Sequence, residues 1–464
     1  MLNDLIKTYK NRDIFITENN EAYNFENVSE FTTEISKILP ERSLVFALCN
    51  NNVESMLGYI SFITKKIVPL LLDSKINVDL LNNLITTYEP TYLWIPKDRI
   101  SNFTDFKEIF SYKEYCLIQL RNENKHNLNN KLAILLTTSG STGSPKLVRI
   151  SYENLISNAK SIAEYLSIDL NQRPITSLPM NYSFGLSVLN SHLIKGSTIL
   201  LTPRSLMEKG FWEFLKGKKA TSISGVPYTF EILKKLKFFD MDLPNLQTLA
   251  QAGGKLKKEL IIEFARYCKN NNKELYVMYG QTEATARMSY LPPKYLSEKP
   301  DSIGIEIPNG SFHLVGDNNT PITEEGKVGE LVYEGPNVSM GYATRIKDLS
   351  LEGNKKNLLY TGDLAKKDKD GFYFIVGRKS RFIKIFGNRV NLDEVENLLK
   401  SMTDDVACTG VDDNINIYIT NKLDSSKIKN YLKQKIGINQ LAMKIIHLSS
   451  IPKNNSGKVM YSEL

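Results

Sequence analysis

The stretch that decides how this chain is read is Leu135-Leu-Thr-Thr-Ser-Gly-Ser-Thr-Gly-Ser-Pro-Lys146. The apolar run Leu132–Leu136 predicts a buried strand, and it breaks into Thr137–Ser144, where every residue is Ser, Thr or Gly. Thr138, Ser139, Gly140, Ser141, Thr142 and Gly143 offer backbone N–H groups and hydroxyls, and Lys146 adds a cation. Glycines let a ligand approach the backbone closely. A nest of N–H groups beside a lysine is an anion cradle. A surface turn uses the same residue types. The Walker pattern ends in Gly-Lys-Ser/Thr, whereas here Pro145 precedes Lys146 and Leu147 follows it. A phosphate site at this loop is therefore of another kind.

Outward from the loop, apolar strands alternate with amphipathic helices. Phe15–Phe25 suggests a hairpin around Asn19-Asn20. Ser29–Leu39, Val53–Thr64 and Val78–Tyr88 have helical periodicity, and Leu44–Cys49, Val68–Leu72 and Thr91–Ile95 are strand-like. The polar segment Ser101–Asn130 is expected to be a loop-rich connector. After the loop, Tyr152–Leu166 predicts a helix and a second series follows. Its strands are Ser197–Leu201, Thr221–Ser224, Thr248–Ala250 and Leu275–Met278, with helices at Leu206–Lys216, Thr229–Lys237 and Lys257–Lys269. Such alternation predicts an α/β fold with two doubly wound, helix-covered sheets. Residues 302–376 turn to short strands with Gly and Pro turns, a small β subdomain. Residues 380–464 read as a compact, mobile α+β unit, so the expected domains are 1–379 and 380–464.

With 464 residues, 42% apolar and 24% charged, the chain is an ordinary globular multidomain protein. Its net charge of +8 suits polyanionic small molecules, and no basic run, zinc spacing or RNA-binding motif points to nucleic acid. Cys49, Cys116, Cys268 and Cys408 are far apart and form no CxxC, which predicts buried cytosolic thiols. Met1–Lys10 lacks the apolar core of a secretory signal, and Ile67–Leu72 falls far short of the roughly 20 apolar residues a membrane span needs. The expected location is the cytoplasm.

Five further words carry chemistry. Ala250-Gln-Ala-Gly-Gly254 and Tyr279-Gly-Gln-Thr-Glu283 each follow a predicted strand, at the end where α/β sheets bind ligands. Small residues there allow a flat ring to lie on the backbone, and a carboxylate beside phosphates suits a hard cation. Tyr360-Thr-Gly-Asp363 offers a carboxylate that can accept sugar hydroxyls, or is simply a turn. Gly377-Arg378 precedes Ser380 at the expected domain junction, and Pro452-Lys-Asn-Asn-Ser-Gly-Lys458 is a polar loop or a floppy tail. Glu394 and Glu396 read as a solvated helix face.

Taken in order with Thr138–Lys146, these words resemble the signatures of the adenylate-forming enzymes: acyl-CoA synthetases, peptide-synthetase adenylation domains and luciferases. The departures are Leu147, where Gly is usual, and Ser380, where Asp or Lys is most often the hinge. The resemblance implies that Thr138–Gly143 and Lys146 hold phosphate, and that Ala252, Gly253 and Gly254 face adenine with Tyr279 stacked on it. Gly280 and Gln281 complete that word, Thr282 meets the phosphate, and Glu283 holds Mg²⁺. Asp363 and Arg378 serve the ribose and phosphate, Ser380 is the hinge, and Lys458 is the catalytic lysine. Pro179-Met-Asn-Tyr-Ser-Phe-Gly-Leu186 matches the acid-pocket stretch, so Tyr182, Phe184, Gly185 and Val226 would line the pocket, with core packing the plain alternative for Tyr182 and Phe184.

Amino-acid-activating relatives carry an Asp near Gly185, and an α-ammonium in a dry pocket must be paired. The implied activity is ATP-dependent activation of a small carboxylic acid without an α-amino group. The acyl group then passes to the thiol of CoA or of a separate phosphopantetheine carrier protein. Gly185 is expected to leave room in the pocket. An amino-acid-activating carrier-protein ligase and a non-catalytic nucleotide-binding relative are the alternatives.

Overall fold

The computed structural model describes residues 8–121, 126–137, 146–353, 356–386, 388–403, 405–421, 423–454 and 457–464. They form two compact units. The first comprises Met1–Pro300, Glu306–Ser311 and Glu334–Leu359, and the second Asp301–Ile305, Phe312–Tyr333 and Tyr360–Leu464.

An eight-stranded sheet dominates the first unit. Its spatial order is Tyr342–Ala343, Leu147–Ser151, Leu132–Thr137, Val68–Asp73, Leu44–Cys49, Tyr92–Pro96, Tyr115–Leu120, Phe106–Tyr112. The four strands from Leu132–Thr137 to Tyr92–Pro96 are parallel, and the outer ones are antiparallel. Alternate residues of a strand face opposite sides. Leu44, Phe46 and Leu48 accordingly pack with Leu81, Leu84 and Tyr88 of the Val78–Tyr88 helix. Val45, Ala47 and Cys49 pack on the other face with Phe31 and Met56, from the Phe25–Ile38 and Val53–Thr64 helices. Burial on both faces explains the unbroken apolar runs in these strands.

The expectation of a loop over Ser101–Asn130 is corrected. Phe106–Tyr112 and Tyr115–Leu120 form an antiparallel hairpin that closes the sheet. Half of the edge strand faces solvent, so its polar residues hide the apolar signal a covered strand would give.

A second sheet carries the parallel strands Ser222–Gly225, Thr248–Gln251 and Glu274–Tyr279, with Ser289–Leu291 antiparallel beyond them. Bridges at Pro174↔Ser222 and Ile175↔Leu200 join it to Ile199–Leu201, Asp13–Thr17 and Ala22–Asn24. The hairpin around Asn19-Asn20 is present. A helix at Ser183–Leu193, unforeseen in the sequence, packs Leu186 and Leu189 into the core shared with Ile199 and Leu201.

The second unit carries a five-stranded sheet in the order Pro321–Ile322, Ser311–Val315, Gly329–Glu334, Leu358–Lys367, Tyr373–Arg378. After it come the hairpin Phe382–Ile385/Asn388–Asn391 and a three-stranded sheet covered by two helices through Val395, Leu399, Ile428 and Leu432. The division by contact therefore differs from the expected boundary at Lys379, because the small β subdomain groups with the C-terminal residues. The ties are specific: the Arg378 N–H donates to Asp393 at 3.0 Å, and Asn391 Nδ2 donates to the Val376 carbonyl.

Glu396 corrects another expectation. Its neighbour Glu394 is exposed, but Glu396 is buried, pairs with Arg381, and accepts from Cys408 N at 2.7 Å and Tyr461 Oη at 3.0 Å. Burial pushes its carboxyl up against the opposing pull of Arg381. All four cysteines are buried and free. Among the described residues no helix is long and apolar enough to cross a membrane.

Candidate active site

Residues Thr138, Ser139, Gly140, Ser141, Thr142 and Gly143 lie outside the described residues. The ends of their loop are paired, Thr137 against Leu147, so the loop joins two antiparallel strands. Lys146 follows it. Its Nζ lies 3.2 Å from the ring centroid of Tyr342, a cation–π contact. The Tyr342 hydroxyl donates to Glu283 Oε1 at 2.7 Å. Burial, and then the Glu283 carboxylate, push the Tyr342 phenol up. Lys146, Tyr342 and Glu283 thus form one chain of contacts that the sequence words did not link.

Glu283 sits on a strained turn after the Glu274–Tyr279 strand. Thr285 has φ 55° and Ala286 φ 104°, conformations that cost on the order of 1–3 kcal/mol each without glycine. Buried asparagines hold the turn. Asn337 Nδ2 donates to the carbonyls of Ala284 (2.8 Å) and Arg287 (3.1 Å), and Asn158 Nδ2 donates to the Arg287 carbonyl (3.0 Å). Thr285 Oγ1 donates to the Asn337 carbonyl at 2.7 Å, and Ser339 N donates to the Glu283 carbonyl at 2.8 Å. Asn337→Ala is expected to lower the unfolding free energy by about 1–3 kcal/mol, because it takes the Asn337 donor from the buried Ala284 carbonyl, while the Arg287 carbonyl keeps Asn158. Denaturant titration measures this, and an unchanged midpoint would rule the clamp out.

The other residues of the Tyr279–Glu283 word are equally local. Gln281 Nε2 donates to Tyr279 Oη at 3.3 Å, Gly280 packs on the Ala286 carbonyl, and Thr282 Oγ1 lies 3.1 Å from Ser183 Oγ. Ser183 opens the Ser183–Leu193 helix.

Beside the turn, Gly253 has φ +85°, and a Cβ there would lie 2.6 Å from Tyr182 Oη and 3.1 Å from Val226 Cγ1. Tyr182, Val226 and Gly253 therefore converge. Ala252 is buried and Gly254 exposed. Gln251 Nε2 fixes the strip by donating to the carbonyls of Ala252 and Gly254. The rings of Tyr182 and Phe184 stand edge to face, 6.4 Å apart. Burial raises the Tyr182 phenol.

Gly185 does not leave the room expected of it. A Cβ there would stand 2.2 Å from the Pro179 carbonyl oxygen and 3.2 Å from Leu178 Cβ. Protein backbone fills the space, and the glycine lets the helix start pack on residues 178–179.

The second unit holds the remaining candidates. Asp363 is paired in register with Arg378 across two strands, with Arg378 Nε 3.4 Å from Asp363 Oδ1. Asp363 is buried and Arg378 exposed. Ser380 lies in the single turn Lys379–Arg381, and Lys379 pairs with Glu330 at 2.6 Å. Around Lys458, the described residues 452–454 and 457–464 are tied by hydrogen bonds. Asn454 Oδ1 accepts from Lys458 N (3.0 Å), Asn454 N donates to the Lys458 carbonyl (2.9 Å), and Lys453 bridges Val459.

The donor set around Glu283 suits Mg²⁺. Among the described residues there is no group of three or more metal-ligating side chains. Mg²⁺ is commonly held by one or two carboxylates, with phosphates and water completing its shell, and Glu283 supplies one such carboxylate.

The sequence profile described as AMP-binding enzyme matches residues 79–343. The chain belongs to the AMP-binding enzyme family. Within the family it is 28% identical over 350 residues to the long-chain-fatty-acid–CoA ligase of Escherichia coli O157:H7, covering 72% of this chain and 61% of that protein. It is 27% identical over 343 residues to the 2-succinylbenzoate–CoA ligase of Staphylococcus aureus (strain MSSA476), covering 72% of this chain and 66% of that one. The chain thus spans somewhat under two-thirds of the length of either relative. Its fold is that of o-succinylbenzoate CoA synthetase from Bacillus subtilis, solved with its acyl-adenylate intermediate. The TM-score is 0.80 at 21% identity, covering 100% of this chain and 97% of that one. The family match contains Lys146, Ala252–Gly254, Tyr279–Glu283 and Tyr342; Asp363, Arg378 and Lys458 lie beyond it.

Proposed function

We propose that this chain is an AMP-forming acid:thiol ligase. It joins a carboxylic acid to the α-phosphate of ATP with release of pyrophosphate, then passes the acyl group to a thiol. The observation that carries this reading is the clamped Thr282–Glu283 turn with Lys146 and Tyr342 beside it, at the strand end where α/β sheets bind ligands. Lys146 and Thr282 bind phosphate, Ala252–Gly254 and Tyr279 receive the adenine, and Asp363 with Arg378 receives the ribose. Glu283 would hold Mg²⁺, which when bound neutralises phosphate charge. A structure of the Bacillus subtilis synthetase with ATP and a magnesium ion supports that partner. A carboxylate nucleophile is already ionised at neutral pH, so these residues act by positioning and charge stabilisation rather than as a base.

The relatives are named as CoA ligases, which favours CoA over a carrier-protein phosphopantetheine as acceptor. Tyr182, Phe184, Gly185 and Val226 offer no carboxylate, which favours an acid without an α-amino group. The C-terminal residues turn about Ser380 between the two half-reactions. The test is pyrophosphate and AMP release over a panel of carboxylic acids, with CoA added afterwards. ADP formation, or no acid-dependent AMP, would overturn the reading.

Asp363→Ala is expected to raise the KM for ATP roughly 10–100-fold with kcat near wild type, since hydrogen bonds to a charged group contribute about 1.5–3 kcal/mol. A loss confined to kcat would remove Asp363 from the nucleotide site.

A further inference from the structure

Arg287 ends the turn that carries Glu283 and is only 1% exposed. Its Nε donates to Ser187 Oγ at 3.0 Å, and Nη1 donates to Tyr165 Oη at 3.1 Å and Met278 Sδ at 3.4 Å. The guanidinium carbon lies 4.9 Å from the ring centroid of Phe184. All these partners are neutral. Among the described residues no carboxylate pairs with Arg287.

A buried charge without a counter-ion is strongly unfavourable, and a guanidinium is the side chain best shaped to receive a carboxylate. The surroundings are those of the candidate acid pocket. Phe184, Val226, Ala252, Tyr165 and Met278 belong to one apolar cluster, with Tyr182 packed against it. The depth can be read along the Ser183–Leu193 helix. Ser183 touches Thr282, at the reacting end, while Ser187 touches Arg287. These serines are four residues apart on one helix face, which places Arg287 about 5–6 Å deeper.

We propose that the acid pocket takes a dicarboxylic acid, with Arg287 receiving the carboxylate that does not react. The separation suits two carboxylates joined by a short linker of two to four carbons. A cation at this depth also repels an α-ammonium, in line with Gly185. The proposal rests on the acid-activating reading above.

Acid-dependent pyrophosphate release by the wild-type protein tests it with matched acids: butyrate, succinate and monomethyl succinate, then valerate and glutarate. A site built to bind a polar group discriminates strongly against an analogue lacking it, so kcat/KM is expected to favour each diacid by at least about 100-fold, with the monoester grouped with butyrate. In Arg287→Met the diacid-to-monoacid ratio is expected to fall to one or below, and Arg287→Lys to keep part of it. A wild-type preference for the monoacids, or an unchanged ratio in Arg287→Met, would overturn the proposal. If the Met variant does not fold, the wild-type panel and Arg287→Lys decide. AMP formation with none of a broad set of acids would instead remove the ligase reading itself.

Discussion

Lys458→Ala is expected to lose acyl-adenylate formation by at least about 10²–10³-fold while still making thioester from a supplied acyl-adenylate. A cation aimed at charge that develops in the transition state typically contributes about 2.7–4 kcal/mol. In the first half-reaction such charge builds on the α-phosphorus oxygens as the carboxylate adds and pyrophosphate leaves; in the second the thiol attacks the acyl carbon, and AMP departs with the bonding pair. The Lys458 loop is built by its backbone and by the Asn454 side chain, with Met460 N bonded to the Pro452 carbonyl. Beyond it the chain is anchored where Tyr461 Oη meets Glu396, and Tyr418 Oη meets the Leu464 carbonyl at 3.0 Å. These ties run through backbone groups and through the side chains of Asn454, Tyr461 and Tyr418. Single-turnover assays of the two half-reactions make the measurement. Equal loss in both would show that Lys458 has a general structural role, and would speak against a C-terminal domain that turns between steps.

The sequence was most informative where the physics is local. Leu44–Cys49 and Val68–Asp73 are buried on both faces and could be read as strands from their apolar runs alone. The Tyr279–Glu283 word was legible because its parts lie on one turn. What stayed hidden depends on partners far away in the chain. Phe106–Tyr112 is half solvated and becomes a strand only by pairing with Tyr115–Leu120. Glu396 looks like a surface residue until Arg381 and Tyr461 close around it. The absence of a side chain at Gly185 said nothing about what occupies the space, which proves to be the Pro179 carbonyl. Arg287 stands four residues beyond Glu283, but charged side chains are almost never fully buried unless paired, so nothing in the sequence drew attention to it. Asn337 and Tyr342 lie more than 50 residues from the turn they hold.

Glu283→Ala is expected to depress pyrophosphate release by at least about 100-fold even at saturating ATP. Partners that orient a metal ligand typically contribute about 10–100-fold in affinity or activity, and the ligand itself should exceed them. With Glu283 as the proposed ligand, Tyr342 would be such a partner, because its hydroxyl donates to Glu283 Oε1 while its ring carries Lys146. Tyr342→Phe keeps the ring and the cation contact and removes only the hydroxyl. It should therefore fall in the 10–100-fold range, with Lys146 undisturbed. Two further readouts separate orientation from bulk structure. Raising the magnesium concentration should restore part of the Tyr342→Phe loss and little of the Glu283→Ala loss, since only the first retains the carboxylate. The double variant should be scarcely worse than Glu283→Ala alone, because a hydroxyl that acts through the carboxylate has nothing left to orient. Additive losses would mean that Tyr342 works independently of Glu283. Wild-type turnover in Glu283→Ala would take the metal away from this residue altogether.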